Sequence, residues 1–337
     1  MDSQWNRKRK DGAVIGLLAF GTQIVHDARR ELVAKPKPVP MQQRADITSK
    51  LLDPSFVREL EVLRRRLEVR ARSGASGEHA ARRRGGSAEF QEHRPYSAGD
   101  DLRRIDWAAY ARTDEPVLKL FRAEEDVVVR ILIDSSASLD FGSPPKFESA
   151  ARLAAAFGYM ALASSERAQV VAAGEGIVRE ETPVRGRNGL IGLLRALASL
   201  TPRGGTDLSR AVDTLVRKSK RPGMLLVVSD FFDSGPLLTS LGRAVAAGHD
   251  LSLVQVVAPE EIEPNYDGDW ALEDAETGAL VEVTMDAAAL EAYALRFAGL
   301  CEELRQIARR HRATYVRART DEPLEGVVRR IVSRSID

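Results

Sequence analysis

The chain has 337 residues, of which 44% are hydrophobic and 29% are charged, so it can bury a core large enough for one domain with a smaller module attached. A formal net charge of +1 argues against a protein that binds polyanions over its whole surface. Cys301 is the single cysteine, which excludes an intrachain disulfide and indicates a reducing compartment. Its place in an amphipathic pattern over 290–310 predicts a small buried side chain rather than a nucleophile.

Residues 1–50 are predicted to form a poorly ordered leader. A basic run at 7–10 precedes an apolar stretch at 13–20, which superficially resembles a signal peptide. This stretch is much shorter than the ~20 residues needed to span a bilayer, and no cleavage site of small residues follows it. Because no other segment approaches that length, the sequence predicts a cytoplasmic protein with no transmembrane segment.

Residues 51–126 are predicted to form an N-terminal module of one helix, a loop and short strands. Asp53 followed by Pro54 is a typical helix start, and apolar residues then recur at helical spacing from Val57 to Leu67. Arginines crowd this helix and the loop at 73–87, which is rich in glycine and serine. We expect a solvated basic surface, with binding to phosphate backbones or anionic lipids as the alternative. The arginines are Arg64, Arg65, Arg66, Arg70, Arg72, Arg82, Arg83 and Arg84.

From residue 127 to residue 337, apolar strands alternate with helices, which is typical of an α/β domain with a doubly wound, mainly parallel sheet. Strands are predicted at 127–134, 168–173, 176–180, 224–229, 251–257 and 314–318. Helices are predicted at 146–164, 189–200, 208–219, 236–247, 290–310 and 324–333. A hairpin is predicted near 268–285, with Glu276, Thr277 and Gly278 as its turn.

Oxygen-bearing side chains follow two of the predicted strands and lie in one further loop. Asp134, Ser136 and Ser138 end the first strand, Thr206 follows two glycines, and Asp230 ends the strand at 224–229. Parallel α/β sheets bind ligands outside the carboxyl ends of their strands, so these loops are expected to form one composite site. Hard oxygen donors without sulfur or histidine suit Mg²⁺ or Mn²⁺.

The three loops together resemble the metal-ion-dependent adhesion site of von Willebrand factor A (vWA) domains. The resemblance implies that the serines and the threonine contact the metal directly and that the carboxylates often act through water. It also implies an open coordination position for an acidic side chain of a partner protein. Asp207 is interpreted instead as a helix N-cap, and Asp233 as an outer-shell group. The alternative is that these serines and aspartates only cap helices and form turns.

A second pattern lies upstream of the strand predicted at 127–134, and it is more specific than the three oxygen-bearing loops. Its residues are Glu89, Phe90, Arg94, Pro95, Tyr96, Gly99, Asp100, Arg103, Ile105, Asp106, Trp107, Ala111 and Arg112. With these residues, the chain resembles the bacterial DUF58 family (domain of unknown function 58) from about residue 51 to its C-terminus, including 272–278 in the hairpin. The resemblance implies a vWA-like domain, a MoxR-type AAA+ ATPase as partner, and a chaperone-like or assembly role without an established reaction.

Most polar and aromatic members of this signature are expected to be structural. Pairing between arginine and aspartate, together with burial of Trp107, would hold the module on the sheet. A surface for a partner is the alternative for the same residues, which are Arg94, Tyr96, Gly99, Asp100, Arg103, Asp106 and Trp107.

Enzymatic alternatives have weaker support in the sequence. The chain lacks the nucleophile-elbow, phosphate-loop, zinc-protease and dinucleotide-binding motifs, and its five histidines are scattered. A Mg²⁺-dependent hydrolase or phosphatase on Asp134 and Asp230 would need a nucleophile, for which Ser135 is the best available residue. A basic nucleic-acid-associated protein is the third hypothesis. We therefore expect a non-enzymatic interaction module.

Overall fold

The computed structural model describes residues 41–74, 89–97, 100–102, 105–122, 127–186, 188–232 and 235–333. Most of the predicted leader and the arginines at 82–84 therefore lie outside the described residues, as do Gly99, Arg103 and Asp233. In the described part of the chain, no helix is both long enough and apolar enough to cross a membrane.

A seven-stranded sheet forms the centre of the α/β domain. Its strands are β3 (Val128–Asp134), β4 (Arg167–Gly174), β5 (Gly176–Glu180), β6 (Val184–Arg185), β7 (Met224–Ser229), β8 (Asp250–Val257) and β11 (Thr314–Arg319). The order is β11-β8-β7-β3-β4-β5, and β6 also pairs with β4. The pairs from β11 to β4 are parallel, whereas β5 and β6 run antiparallel to β4. The predicted mainly parallel sheet is confirmed.

Helices cover both faces of this sheet because successive strand residues point to opposite sides. Ile131 and Ile133 belong to one buried cluster, whereas Leu132 between them belongs to the other. The helices of the first face are α4 (Lys146–Ala163), α5 (Gly189–Ala198) and α10 (Leu324–Val332). Those of the second face are α6 (Leu208–Lys218), α7 (Gly235–Ala246) and α9 (Ala287–His311). Cys301 of α9 is buried, as predicted.

Two N-terminal helices extend the first face. They are α1 (Met41–Leu52) and α2 (Pro54–Gly74), and the Asp53 carboxylate accepts a hydrogen bond from the Ser55 N–H at the predicted helix start. Leu51 and Leu60 are buried in the same cluster as residues of α4. The predicted leader boundary at residue 50 falls inside α1, so the helical part of the chain begins earlier than predicted.

Leu60→Ala tests whether α2 is an integral part of this core. Leu60 is 0% exposed, and truncation of such a leucine leaves a cavity, so we expect a loss of about 2–5 kcal/mol in the free energy of unfolding. Urea unfolding followed by circular dichroism measures it. Val62→Ala in the same helix, at a side chain that is 46% exposed, is the control and should change little. Equal effects of the two variants would show that α2 is not packed as described.

The rest of the module is a two-stranded sheet of β1 (Glu89–Pro95) and β2 (Val117–Arg122), with the short helix α3 (Trp107–Thr113) between them. The sequence patterns predicted extended pieces here and did not predict α3. A second small sheet is the predicted hairpin, formed by β9 (Gly268–Glu273) and β10 (Leu280–Met285). It follows the one-turn helix α8 (Pro259–Ile262) and precedes α9.

Candidate metal site at the strand ends

The candidate site lies where the strand order reverses. Strand β3 pairs with β4 on one side and with β7 on the other, so the loops after β3 and β7 meet at the carboxyl edge of the sheet. This topology brings Asp134 and Asp230 together. It is also the part of a doubly wound sheet where ligands usually bind.

The loop after β3 places one carboxylate and two hydroxyls in fixed positions. Asp134 Oδ1 accepts a hydrogen bond from the Ser136 N–H (2.9 Å), and Asp134 Oδ2 accepts one from Ser229 Oγ (2.7 Å). The hydroxyl oxygens of Ser136 and Ser138 lie 2.9 Å apart and share a hydrogen bond. Asp134 and Ser136 are fully buried, so the loop is held rigidly before any ligand arrives.

The loop that carries Thr206 is fastened to the Asp134 loop through backbone groups. The Ala137 N–H donates to Gly204 O (2.9 Å), and the Arg203 N–H donates to Ser135 O (2.8 Å). Thr206 Oγ1 is buried and has no hydrogen-bond partner among the residues that the structure describes. A buried hydroxyl without a partner costs stability, which makes this atom informative about an absent ligand. The predicted capping role of Asp207 is confirmed, since its carboxylate accepts from the Arg210 N–H at the start of α6.

Asp230 is held by a buried lysine. Lys146 Nζ donates to Asp230 Oδ2 (2.7 Å) and to Glu261 Oε1 (2.6 Å), and the Lys146 side chain is fully buried. Glu261 also accepts from the Ala258 N–H (2.9 Å), which fixes its second oxygen. Phe231, the next residue after Asp230, has a φ of +59°, a strained conformation for a bulky side chain. Strain of this kind is frequent at functional loops.

The tip of the hairpin adds a carboxylate that the sequence did not assign to the site. The Glu276 carboxylate lies close to the backbone of Gly205 and Thr206, and the negative charges of Asp230 and Asp134 act on it. A Cβ atom placed on Gly205 would lie 3.3 Å from Glu276 Oε2, so the glycine leaves room for this approach. Glu276 is therefore a neighbour of three residues of the predicted site.

The site carries more negative than positive charge. Asp134, Asp230, Glu261 and Glu276 contribute four carboxylates, against the single ammonium of Lys146. Burial, with the charge of Asp230, raises the pKa of Asp134 to about 6. Burial, with the charges of Asp230 and Asp134, raises the pKa of Glu276 to about 7. In both side chains, burial and the neighbouring carboxylates therefore disfavour the charged form.

These features fit a divalent hard cation held by Asp134, Ser136, Ser138, Thr206 and Asp230. The Thr206 hydroxyl, which lacks a partner among the described residues, would become a ligand of the ion, and two positive charges would balance the excess of carboxylates. Among the described residues, no group of three or more histidine, cysteine, aspartate or glutamate side chains converges on one point. The hydroxyls would therefore have to supply much of the coordination, as the sequence predicted. The assignment of these five residues as metal ligands stays a prediction.

Sequence reasoning missed three residues of the site, Lys146, Glu261 and Glu276. A lysine at the first turn of a helix is ordinarily solvated. In the sequence, the sign of burial is that Lys146 follows Pro144 and Pro145 and precedes the apolar Phe147. Glu261 follows the carboxyl end of β8, where a systematic search of every strand end would have included it. Glu276 was assigned only to the hairpin turn, because nothing local indicates which loop it contacts.

The only proposed nucleophile is engaged elsewhere. Ser135 Oγ donates to Ala173 O (2.7 Å), and the residue is 5% exposed. The Ser135 N–H donates to the same carbonyl (2.9 Å). Ser135 thus fastens the loop after β3 to β4.

The signature residues of the module fall into structural and exposed groups. Arg94 Nη2 donates to Asp100 Oδ1 (2.6 Å), so the expected arginine–aspartate pairing is confirmed. Asp106 is the N-cap of α3 and accepts from the N–H groups of Ala108 and Ala109. The expected burial of Trp107 is wrong, because the side chain is 61% exposed and makes an edge-on contact with Tyr110. Trp107 is the first residue of α3, and its backbone is positioned by the Asp106 cap of that helix and not by burial of its own side chain.

Similar solved structures include "conserved hypothetical protein BatB" from Bacteroides thetaiotaomicron, with 18% identity and a TM-score of 0.42 over 62% of this chain and 98% of that chain. Another is the "SpRpn10 VWA domain", with 10% identity and a TM-score of 0.35 over 60% of this chain and 94% of that chain.

Comparisons at the sequence level are closer. An uncharacterized protein of Mycobacterium tuberculosis (strain ATCC 25618 / H37Rv) is 32% identical over 302 residues, which cover 88% of this chain and 93% of that protein. An uncharacterized protein of Mycobacterium avium is 35% identical over 147 residues, which cover 42% of this chain and 86% of that protein. Residues 92–300 match the model of the family described as "Protein of unknown function DUF58". The chain therefore belongs to the DUF58 family.

Proposed function

We propose that this chain is a non-enzymatic interaction module that binds a partner protein through a divalent metal ion. The observation that carries the proposal is the buried Thr206 hydroxyl, which has no hydrogen-bond partner among the described residues and lies in a loop that is bonded through its backbone to the loop of the buried Asp134. When bound, Mg²⁺ or Mn²⁺ would offer a coordination position to an aspartate or glutamate of the partner. Hydroxyl ligands leave such an ion incompletely neutralised, which favours an incoming carboxylate.

The residues of this chain would position the donors rather than react. Ser229 and the Ser136 N–H orient the Asp134 carboxylate, and Lys146 occupies one oxygen of Asp230. The backbone bonds between the Asp134 and Thr206 loops fix the distance between their hydroxyls. Donors held in place before binding lose little conformational entropy when the ligand arrives.

The proposed partner is a MoxR-type AAA+ ATPase, and the proposed setting is a chaperone-like or assembly role in the cytoplasm. The resemblance of the chain to its family supports this partner, and the exposed Trp107 and Tyr110 offer a second contact area on the module. The site itself requires only that the partner present a carboxylate.

The test is binding of the purified MoxR-type ATPase of the same organism to the immobilised chain. We expect Asp134→Ala to weaken binding about 30-fold or more in Mg²⁺, as expected for the loss of a central contact. The comparison is made in Mg²⁺ throughout, because the ATPase itself needs the ion for nucleotide binding.

Asp207→Asn is the matched control for this experiment. It removes a neighbouring carboxylate, but asparagine still caps α6, so binding should stay unchanged. Equal affinities of the wild type and Asp134→Ala would contradict the proposed function. If a phosphatase activity copurifies with the wild type and is absent from Asp134→Ala, the hydrolase alternative replaces the proposed interaction function.

A further inference from the structure

The predicted metal ligands are poorly accessible in this structure. Asp134 and Ser136 are 0% exposed, Asp230 is 3% exposed and Ser138 is 8% exposed. Thr206 is partly buried as a residue, but its hydroxyl oxygen is buried. A carboxylate from another protein could not reach these donors without a rearrangement of this chain.

Glu276 is the chain's own carboxylate at the place where the partner's would be expected. Its carboxylate lies against Gly205 of the Thr206 loop, and the charges of Asp230 and Asp134 act on it. The hairpin turn fixes its direction, since Asp274 Oδ1 accepts from the N–H groups of Glu276 (2.8 Å) and Thr277 (3.0 Å). Gly205 provides the space, because a Cβ at this position would be 3.3 Å from Glu276 Oε2.

The hairpin packs apart from the main core of the domain. Its buried residues Leu272 and Met285 form a small cluster of their own, separate from the two clusters that flank the central sheet. An element with few apolar contacts to the main core opens at a lower free-energy cost than the core itself. The contact of Glu276 with Gly205 joins the hairpin tip to the Thr206 loop.

We propose that Glu276 is an internal substitute for the partner's carboxylate, so that the hairpin closes the metal site and must swing away before a partner binds. This inference rests on the proposed function and specifies how that site is regulated. Metal in the site holds the hairpin more firmly, and an acidic partner competes with Glu276 for the same position.

Hydrogen exchange of the backbone amides at 268–285, measured with and without Mg²⁺, tests this closure. In the wild type, Mg²⁺ should slow exchange of the hairpin amides about tenfold, a typical coupling between two linked events. In Glu276→Gln, which keeps the size of the side chain and removes its charge, the effect of Mg²⁺ should be lost. Glu282→Gln is the matched control, since it removes an exposed carboxylate from the same hairpin and should behave as the wild type.

A second variant changes the site without removing the carboxylate. Gly205→Ala places a methyl group against Glu276 Oε2 and should also reduce the effect of Mg²⁺ on the hairpin. In binding experiments with the MoxR-type ATPase, Glu276→Gln should bind about fivefold more tightly than the wild type, because an internal competitor is gone.

Mn²⁺ binding, followed by electron paramagnetic resonance on the same variants, separates this inference from the proposed function. The proposed closure is wrong, and the metal site is retained, under either of two results. In the first, Mn²⁺ binds but metal does not change the rate of amide exchange in the hairpin. In the second, metal changes that rate equally in the wild type and in Glu276→Gln. If the wild type binds no Mn²⁺, both proposals are wrong.

Discussion

Replacement of Lys146 with methionine is expected to lower the free energy of unfolding by about 3–5 kcal/mol, the usual cost of removing one partner from a buried ion pair. Lys146 is fully buried and donates to Asp230 at 2.7 Å and Glu261 at 2.6 Å. Burial alone would lower the pKa of the ammonium, but the charges of Asp230 and Glu261 outweigh it and raise that pKa. Methionine fills a similar volume and leaves two carboxylates without their counter-charge.

Urea unfolding of Lys146→Met, with Lys218→Met as control, measures this effect. Lys218 pairs with Glu180 at the surface and is 57% exposed, so its loss should have only a slight effect. Adding Glu261→Gln to Lys146→Met should restore part of the stability, because one of the two unpaired charges is removed. A loss in Lys146→Met no larger than in the control would show that the buried triad does not stabilise the fold.

Thr206→Val is expected to have opposite effects on stability and on metal affinity. Without metal, the variant should be as stable as the wild type or more stable by about 1 kcal/mol, since it removes a buried hydroxyl that has no partner in the described part of the chain. Valine has nearly the same shape, so packing is largely kept. Affinity for Mg²⁺ should nevertheless fall at least about tenfold, because a donor to the ion is lost.

Chemical unfolding in chelator and a calorimetric titration with Mg²⁺ give the two quantities for Thr206→Val. Thr214→Val on α6 is a control for the substitution itself, as its hydroxyl accepts from Arg217 Nη2 away from the site. Unchanged Mg²⁺ affinity in Thr206→Val would exclude this hydroxyl as a ligand. A large loss of stability in chelator would mean that the hydroxyl is satisfied within the folded chain.

Much of the fold could be predicted from the sequence, because the elements of the α/β domain have strong periodic patterns. The apolar runs of β3, β7 and β8 are buried on both faces, so they appear as nearly continuous hydrophobic stretches. The hairpin was evident from the glycine at its turn, which has a φ of +70°. Helix α3 was missed because its start depends on the Asp106 cap rather than on an apolar repeat.

The predicted ligands could be found from the sequence because they lie directly at strand ends or beside a glycine pair. The groups around them could not be found in this way. Lys146 is 84 residues from Asp230 and 115 residues from Glu261 along the chain, and only the packing of α4 against the sheet brings them together. Glu276 reaches the Thr206 loop from a separate small sheet. Local patterns specify an element, whereas contacts between distant elements depend on how those elements pack.

The central claim is that the loops after β3 and β7, together with the Thr206 loop, hold one divalent ion. Titration of the purified chain with Mn²⁺, followed by electron paramagnetic resonance, tests it most directly, with Asp134→Ala measured beside the wild type. We predict one bound ion per wild-type chain and, in Asp134→Ala, binding weakened at least about tenfold in a variant that remains folded. No binding to the wild type at millimolar Mn²⁺, or equal binding to both chains, would contradict the claim.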